Sequence, residues 1–285
     1  MKEQIIACIN DTKSTRPICQ WAVWAATRLV APIKLLHALE KTSSVASADL
    51  SGSLGIGGQE ELLVELMKLD KQHDQEAQAQ GEYLLHHATE IMASLQREKE
   101  ALLTVSFCQQ PSSLLDTLVE LEAKTQLVIM GEKSNQDTVF QGLLGDHLNS
   151  VIRTLHTPVL ISKGEFKEPE KIMIAYDGSD TGWRMLEDRS IRPLLKGSAC
   201  DLVMVGGEHH KLYKAQTMLH TSGIHVSTHR LSGEIESMLN KHIAQHNIDL
   251  VIMGAYGHSH LRQFLLGSHT SRMLSQSPVS LLLLR

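Results

Sequence analysis

The sequence predicts an α/β protein built from two tandem copies of one parallel-sheet unit, and three observations carry that reading. LVIMG at Leu127 to Gly131 recurs unchanged as Leu250 to Gly254, each time after a polar stretch of helical character. Leu143-Leu144-Gly145 is matched by Leu265-Leu266-Gly267, and Thr157-Pro158-Val159 by Ser277-Pro278-Val279, in the same order and at nearly the same spacing. Within each copy, short β-branched apolar runs without polar alternation are separated by longer segments of helical period, the pattern of a parallel sheet buried on both faces by helices.

The first copy opens on IIACIND, ending at Asp11, and the second on KIMIAYD, ending at Asp177. Apolar runs place the strands of copy one at about 4–9, 33–39, 102–108, 126–130 and 158–162, with helices at about 14–30, 60–98, 112–124 and 146–155. In copy two the strands fall at about 171–176, 200–205, 224–230, 249–253 and 279–284, and the helices at about 180–194, 209–221, 234–246 and 268–276. The opening aspartates are 166 positions apart but the LVIMG glycines only 123, so copy two is 43 residues shorter in between. The difference falls after the second strand. There copy one carries the Gly/Ser-rich SADLSGSLGIGG and a Glu/Gln-rich segment whose Leu62, Leu66 and Leu69 recur at helical spacing, an amphipathic helix with a solvated face. Because copy two lacks it, a partner-docking surface there is a secondary reading. Lys163 to Pro169 is charged and contains proline, as linkers tend to be, and sets the domains at 1–163 and 169–285. VSLLLL in the final run has no polar alternation, so both faces of that strand need cover.

Composition bounds the function. The chain has 285 residues, and its 27 Lys and Arg against 32 Asp and Glu leave no basic excess for a nucleic-acid backbone. No apolar run approaches the roughly 20 residues of a membrane span, and the apolar run before Asn10 is too short for a secretion signal. A cytoplasmic protein is expected. Cys8, Cys19, Cys108 and Cys200 form no C-x-x-C pair and read as reduced, mostly buried thiols.

The chemistry concentrates in Gly254-Ala255-Tyr256-Gly257, followed after nine residues by Gly267-Ser268 at the start of a helix. Glycines past a parallel strand let a ligand approach the backbone, and N–H groups at the next helix start hold phosphate oxygens. Ser268 suits the N-cap position, with a hydroxyl able to donate to phosphate. Asp177 also follows a strand and so faces the same crevice, unless it serves only as a helix cap; the glycines, likewise, could be turn glycines and no more.

G-x-x-G, nine residues and G-[ST], ending in P-V and an apolar strand, resembles the ATP-binding signature of the universal stress protein family, and IAYDGS at Ile174 to Ser179 resembles that family's opening strand and turn. The resemblance covers nearly the whole chain as a tandem pair. It implies a five-stranded parallel sheet between helices in each copy, adenine-nucleotide α-hydrolase-like or Rossmann-like. Gly254, Gly257, Gly267 and Ser268 would then line the phosphates of ATP, held with Mg²⁺, and the His269 N–H would lie close by. Asp177 matches the family aspartate at the ribose and adenine end, and Val205 the position whose backbone meets adenine. The resemblance also implies antiparallel pairing of the final strands, satisfied inside the chain as a pseudo-dimer, with a homodimer as a further option.

Copy one departs from the signature: Ser134 replaces the second glycine, ten residues rather than nine precede Gly145, and Asp146 stands where the hydroxyl belongs. A carboxylate at a helix start satisfies the N–H groups itself and repels phosphate, and Asp11 alone does not restore the site. Of the 16 histidines ten follow Lys167, with His209 and His210 at a strand end and His258 and His260 in the glycine loop. His242 and His246 share a helix face at the spacing of two-His zinc sites, but no neighbouring Cys or acidic residue completes a ligand set, so these side chains read first as solvated surface groups, with an opportunistic metal site as the alternative. Neither G-x-x-x-x-G-K-[ST] nor G-x-S-x-G appears. The leading expectation is a binding module that senses or stores ATP in copy two. A slow ATP-hydrolysing or phosphate-transferring enzyme is the competing class. Arg262 and His258 lie in its loop, but charges there need only neutralise phosphate. A ligand-free scaffold or chaperone-like protein is the third.

Overall fold

The computed structural model describes residues 3–39, 56–100, 102–132, 143–255 and 267–285. The first half runs β1 (Gln4–Cys8), α1 (Thr12–Leu29), β2 (Ile33–Ala38), α2 (Ile56–Glu98), β3 (Val105–Gln110), α3 (Leu114–Leu121), β4 (Thr125–Gly131), α4 (Leu143–Thr154) and β5 (Val159–Ser162). The second runs β6 (Lys171–Ala175), α5 (Asp180–Glu187), α6 (Arg192–Leu195), β7 (Ala199–Val205), α7 (His209–Thr221), β8 (Val226–Leu231), α8 (Ile235–His246), β9 (Leu250–Gly254), α9 (Ser268–Gln276) and β10 (Ser280–Leu284).

All ten strands join one sheet in the order β3-β2-β1-β4-β5-β10-β9-β6-β7-β8. Every neighbouring pair is parallel except β5 with β10, where Leu282 faces Leu160 antiparallel. This is the antiparallel contact expected of the two final strands. Period-two alternation explains the unbroken apolar strands: on β10, Leu282 and Leu284 enter one core layer while Leu281 and Leu283 enter the other.

Departures from the expected boundaries have local causes. The helix expected at 180–194 stops at Glu187 and resumes at Arg192, because Asp188 turns the chain by accepting from the Ser190 N–H at 2.8 Å. Pro193 then sits in the first turn of α6, where its missing N–H costs nothing. α4 begins at Leu143, three residues before the expected start, which makes Asp146 its fourth residue rather than its first. Among its described side chains α2 is exposed on one face but not throughout: Leu84, Leu85, Ala88, Met92 and Leu95 are buried in the same core layer as Trp21 of α1.

The linker is tied down along its length. Phe166 meets the Trp21 ring edge-on at 5.0 Å, and Glu168 pairs with Lys99 at 2.8 Å and Arg28 at 3.3 Å. Lys163 is buried rather than solvated. Its ammonium pairs with Glu132 at 2.8 Å and donates to the Leu274 carbonyl and, at 3.1 Å, to that of Ser277, at the C-terminal end of α9. Arg285 does the same for the other half, donating to the carbonyls of Arg153 at 3.0 Å and Thr154 at 3.1 Å at the end of α4. Each half thus ends in a cation that complements the negative pole of the other half's last helix.

Candidate functional site

In the second half the chain steps outward from β6 to β7 and β8, then returns to β9 on the opposite side of β6. The loops leaving β6 and β9 therefore diverge, and in open α/β sheets the crevice they leave is where ligands bind. Asp177 follows β6 and Gly254 ends β9, so the two lie on either side of that opening. Val205 ends β7 on the next strand, followed by Gly206 and Gly207 at φ of +72° and +68°. Sequence reasoning passed over this pair, whose signal was a Gly-Gly dipeptide directly after a strand.

Asp177 does not cap α5. Ser179 does, accepting from the Gly182 N–H at 2.9 Å. Asp177 Oδ1 instead accepts from the Ser179 N–H at 2.9 Å and its hydroxyl at 2.6 Å, which fixes the carboxylate ahead of the helix. Space for it depends on Gly182, where a β-carbon would come within 2.5 Å of Asp177 Oδ1. Lys211 in the first turn of α7 donates to the Gly178 carbonyl at 3.2 Å, placing a cation beside the turn that no motif had flagged.

The start of α9 corrects one expectation. Its N-cap is Gly267, at φ −57° and ψ 139°, and Ser268 is the first helical residue. The chain is already extended at Gly267, and a glycine there supplies no oxygen to the helix's leading N–H groups; among the described residues no side chain caps them. Thr270 ties this turn to β9 by donating to the Gly254 carbonyl at 3.0 Å, and the Gly267 N–H donates to the Ala255 carbonyl at 3.2 Å. His269 points its Nδ1 at Glu236 of α8, 2.9 Å away, with Arg272 at 3.5 Å from the same oxygen. Burial alone would raise the Glu236 carboxyl, but these partners outweigh it and hold it below its ordinary value. Gly257, His258, His260 and Arg262 lie outside the described residues, as does Ser134 of copy one.

In the first half the aspartate that corresponds to Asp177 does cap its helix. Asp11 is the N-cap of α1, accepting from the Ser14 N–H at 2.7 Å and the Ser14 hydroxyl at 2.6 Å. A β-carbon on Gly131, at the end of β4, would lie 3.0 Å from Ser14 Cβ. The difference is two residues: Gly178-Ser179 follow Asp177 and transfer capping to the serine, whereas Asp11 leads straight into its helix.

The histidines of α8 are not solvated as expected. His242 is buried and donates through Nε2 to Asp201 of β7 at 2.9 Å; His229 of β8 and His246 approach the same carboxylate oxygen at 3.5 and 3.7 Å. Lys171 of β6 is 3.3 Å from it. Burial would raise the Asp201 carboxyl, yet the His242 hydrogen bond and the nearby positive charge of Lys171 hold it below its ordinary value. The acidic residue that the sequence seemed to lack is supplied across two strands. The other notable pair, His209 and His210, opens α7 with both side chains on the surface.

Fold and site together define a class: two fused five-stranded α/β units sharing one sheet, the second with a glycine N-cap at its switch point. The model of the universal stress protein family matches residues 1–163 and 191–285, and the chain belongs to that family. The matched segments omit 164–190, the stretch that holds β6 and Asp177. Universal stress protein Slr1230 of Synechocystis sp. (strain ATCC 27184 / PCC 6803 / Kazusa) is 26% identical over 291 residues, spanning 99% of this chain and 100% of that one. Among solved structures, a universal stress protein from Archaeoglobus fulgidus DSM 4304 aligns over 100% of this chain and 97% of its own at TM-score 0.68 and 15% identity. A functionally unknown protein from Pseudomonas aeruginosa PAO1 aligns over 99% and 92% at TM-score 0.65 and 15% identity. At such identities these likenesses bear on the fold, which they share along the whole chain. No helix among the described residues is long and apolar enough to cross a membrane.

Proposed function

We propose that this universal stress protein binds ATP with Mg²⁺ in its second half, in units spanning 1–163 and 169–285, and acts as a cytoplasmic nucleotide-sensing or nucleotide-storing module. The observation that carries the reading is the start of α9: a glycine N-cap with no side-chain oxygen, at the switch point, where leading N–H groups and the positive helix pole favour phosphate. Gly254, Gly257, Gly267, Ser268 and the His269 N–H would receive the phosphates, and Asp177 and the Val205 backbone the ribose and adenine. Asp177 supports this by being fixed at the crevice without capping a helix.

The first half is proposed to bind no nucleotide, because Ser134 and Asp146 replace the second glycine and the hydroxyl of the signature. A binding module is favoured over an enzyme because the sequence carries neither the G-x-x-x-x-G-K-[ST] nor the G-x-S-x-G motif. Calorimetry with Mg-ATP tests the reading. We expect close to one ATP per chain and loss of binding in a folded Gly267→Val, whose side chain would intrude on the phosphates. Unchanged affinity in that variant would sink the assignment, and two ATP per chain would sink the account of the first half. Release of labelled phosphate at stoichiometric protein separates storage from turnover.

A further inference from the structure

We propose that Asp201, His229, His242 and His246 form a tetrahedral binding site for a divalent transition ion, zinc foremost, on the sheet face beneath α8. The four residues come from three elements. Asp201 shares its face of β7 with Val203 and Val205, whose side chains pack in the layer of Leu239 and Ile243 of α8. Val203 is in register with His229 on β8. One turn of α8 brings His242 and His246 over both strands, their rings stacked at 4.0 Å.

Each residue offers one donor atom, and all four atoms lie within 4.8 Å of one another. Zinc bonds of about 2.0–2.1 Å to nitrogen or oxygen put tetrahedral donors roughly 3.3 Å apart. The separations from Asp201 Oδ2 are 2.9 Å to His242, 3.5 Å to His229 and 3.7 Å to His246, so shifts well under 1 Å would bring these three to that spacing.

Without a metal the arrangement is poorly satisfied. Three imidazoles and Lys171 converge on one carboxylate oxygen, only His242 at full hydrogen-bond distance, and the buried Nε2 of His229 has no hydrogen-bond partner. A single cation would use all three lone pairs at once, while Lys171, on a flexible stem, has solvent to turn toward. Three imidazoles and one carboxylate suit zinc in tetrahedral geometry. Four protein ligands leave no open position, so the ion would be structural, pinning α8 to β7 and β8. α8 also presents Glu236 to His269 at the start of α9.

The test uses the full chain stripped with a chelator and titrated with Zn²⁺ against a chromophoric competitor, and with Co²⁺ for its spectrum. We expect one Zn²⁺ per chain, an intense tetrahedral Co²⁺ absorption, and a melting temperature raised by zinc. His246→Gln, at a half-exposed position, should weaken zinc by more than the roughly 100-fold lost with an outer-shell partner. Asp201→Asn should abolish the tetrahedral Co²⁺ spectrum, and His229→Gln, on the edge strand, serves if His246→Gln does not fold. No uptake by the stripped protein, an octahedral Co²⁺ spectrum, or wild-type zinc affinity in folded variants would each overturn the site, the last by assigning the metal to other histidines.

Discussion

Lys163→Met removes one ammonium while keeping most of the side-chain volume, and so isolates the clasp between the two halves. The Lys163 side chain is 5% exposed, and its charge serves two carbonyls at the end of α9 as well as Glu132, which is 41% exposed. A hydrogen bond to a charged group contributes about 1.5–3 kcal/mol net, whereas a pair with a solvated partner adds about 0–1 kcal/mol. The carbonyls of Leu274 and Ser277 would lose this donor, so the expected loss is about 3 kcal/mol. At roughly 2–4 °C per kcal/mol for a chain approaching this size, melting should fall by roughly 6–12 °C. Thermal unfolding followed by circular dichroism reads it, with Glu132→Gln as the control, which should stay within about 1 kcal/mol. If Lys163→Met cost no more than that control, the carbonyl contacts would not be what holds α9, and the reasoning fails. Arg285→Ala, its surface counterpart at the end of α4, should cost only about 1 kcal/mol.

Other expectations follow from burial and charge. Leu282 is fully buried between Leu160 and Ile252, so Leu282→Ala should cost about 2–5 kcal/mol in denaturant melts. The Glu236 carboxyl is depressed in the folded chain, so its contribution to stability is present above the ordinary carboxylate pKa and is lost as pH falls through the lower folded value. The stability gap between wild type and Glu236→Gln should therefore be full above about pH 5 and close in more acidic buffer; a gap independent of pH would refute the pairing. Burial pushes the thiols of Cys8 and Cys19 up to about 12 and that of Cys200 up to about 11, leaving Cys108 as the sole cysteine not buried. A thiol reagent at pH 8 should modify Cys108 first and the other three only on unfolding.

The parts of this fold that depend on local pattern were legible in the sequence. α7 and α9 span the residues expected of them, and the apolar runs located all ten strands, because two-sided burial leaves a continuous signal. Ser268 was misplaced by one residue because serine and glycine both make good N-caps, and only the extended backbone at Gly267 decides between them. The break between α5 and α6 falls inside one expected helix, and Pro193 is the residue in the sequence that marks it. Asp201 and His229 could not be joined to His242 from spacing, since parallel crossovers set which strands become neighbours and sequence separation says little about that. Lys163 was read as linker because charge ordinarily marks solvent; its carbonyl partners are more than a hundred positions away.

The antiparallel pairing of β5 with β10 changes what the molecule can do as well as how it stands. Two separate chains joined along such a seam obey mass action and come apart on dilution, and any change to one appears in its twin. Here both sides of the seam are written into a single polypeptide, so the closure is unimolecular and indifferent to concentration. The twins are also released from identity: a substitution in one half leaves the other untouched. Asp11 could accordingly cap its helix while its counterpart Asp177 left that role to Ser179.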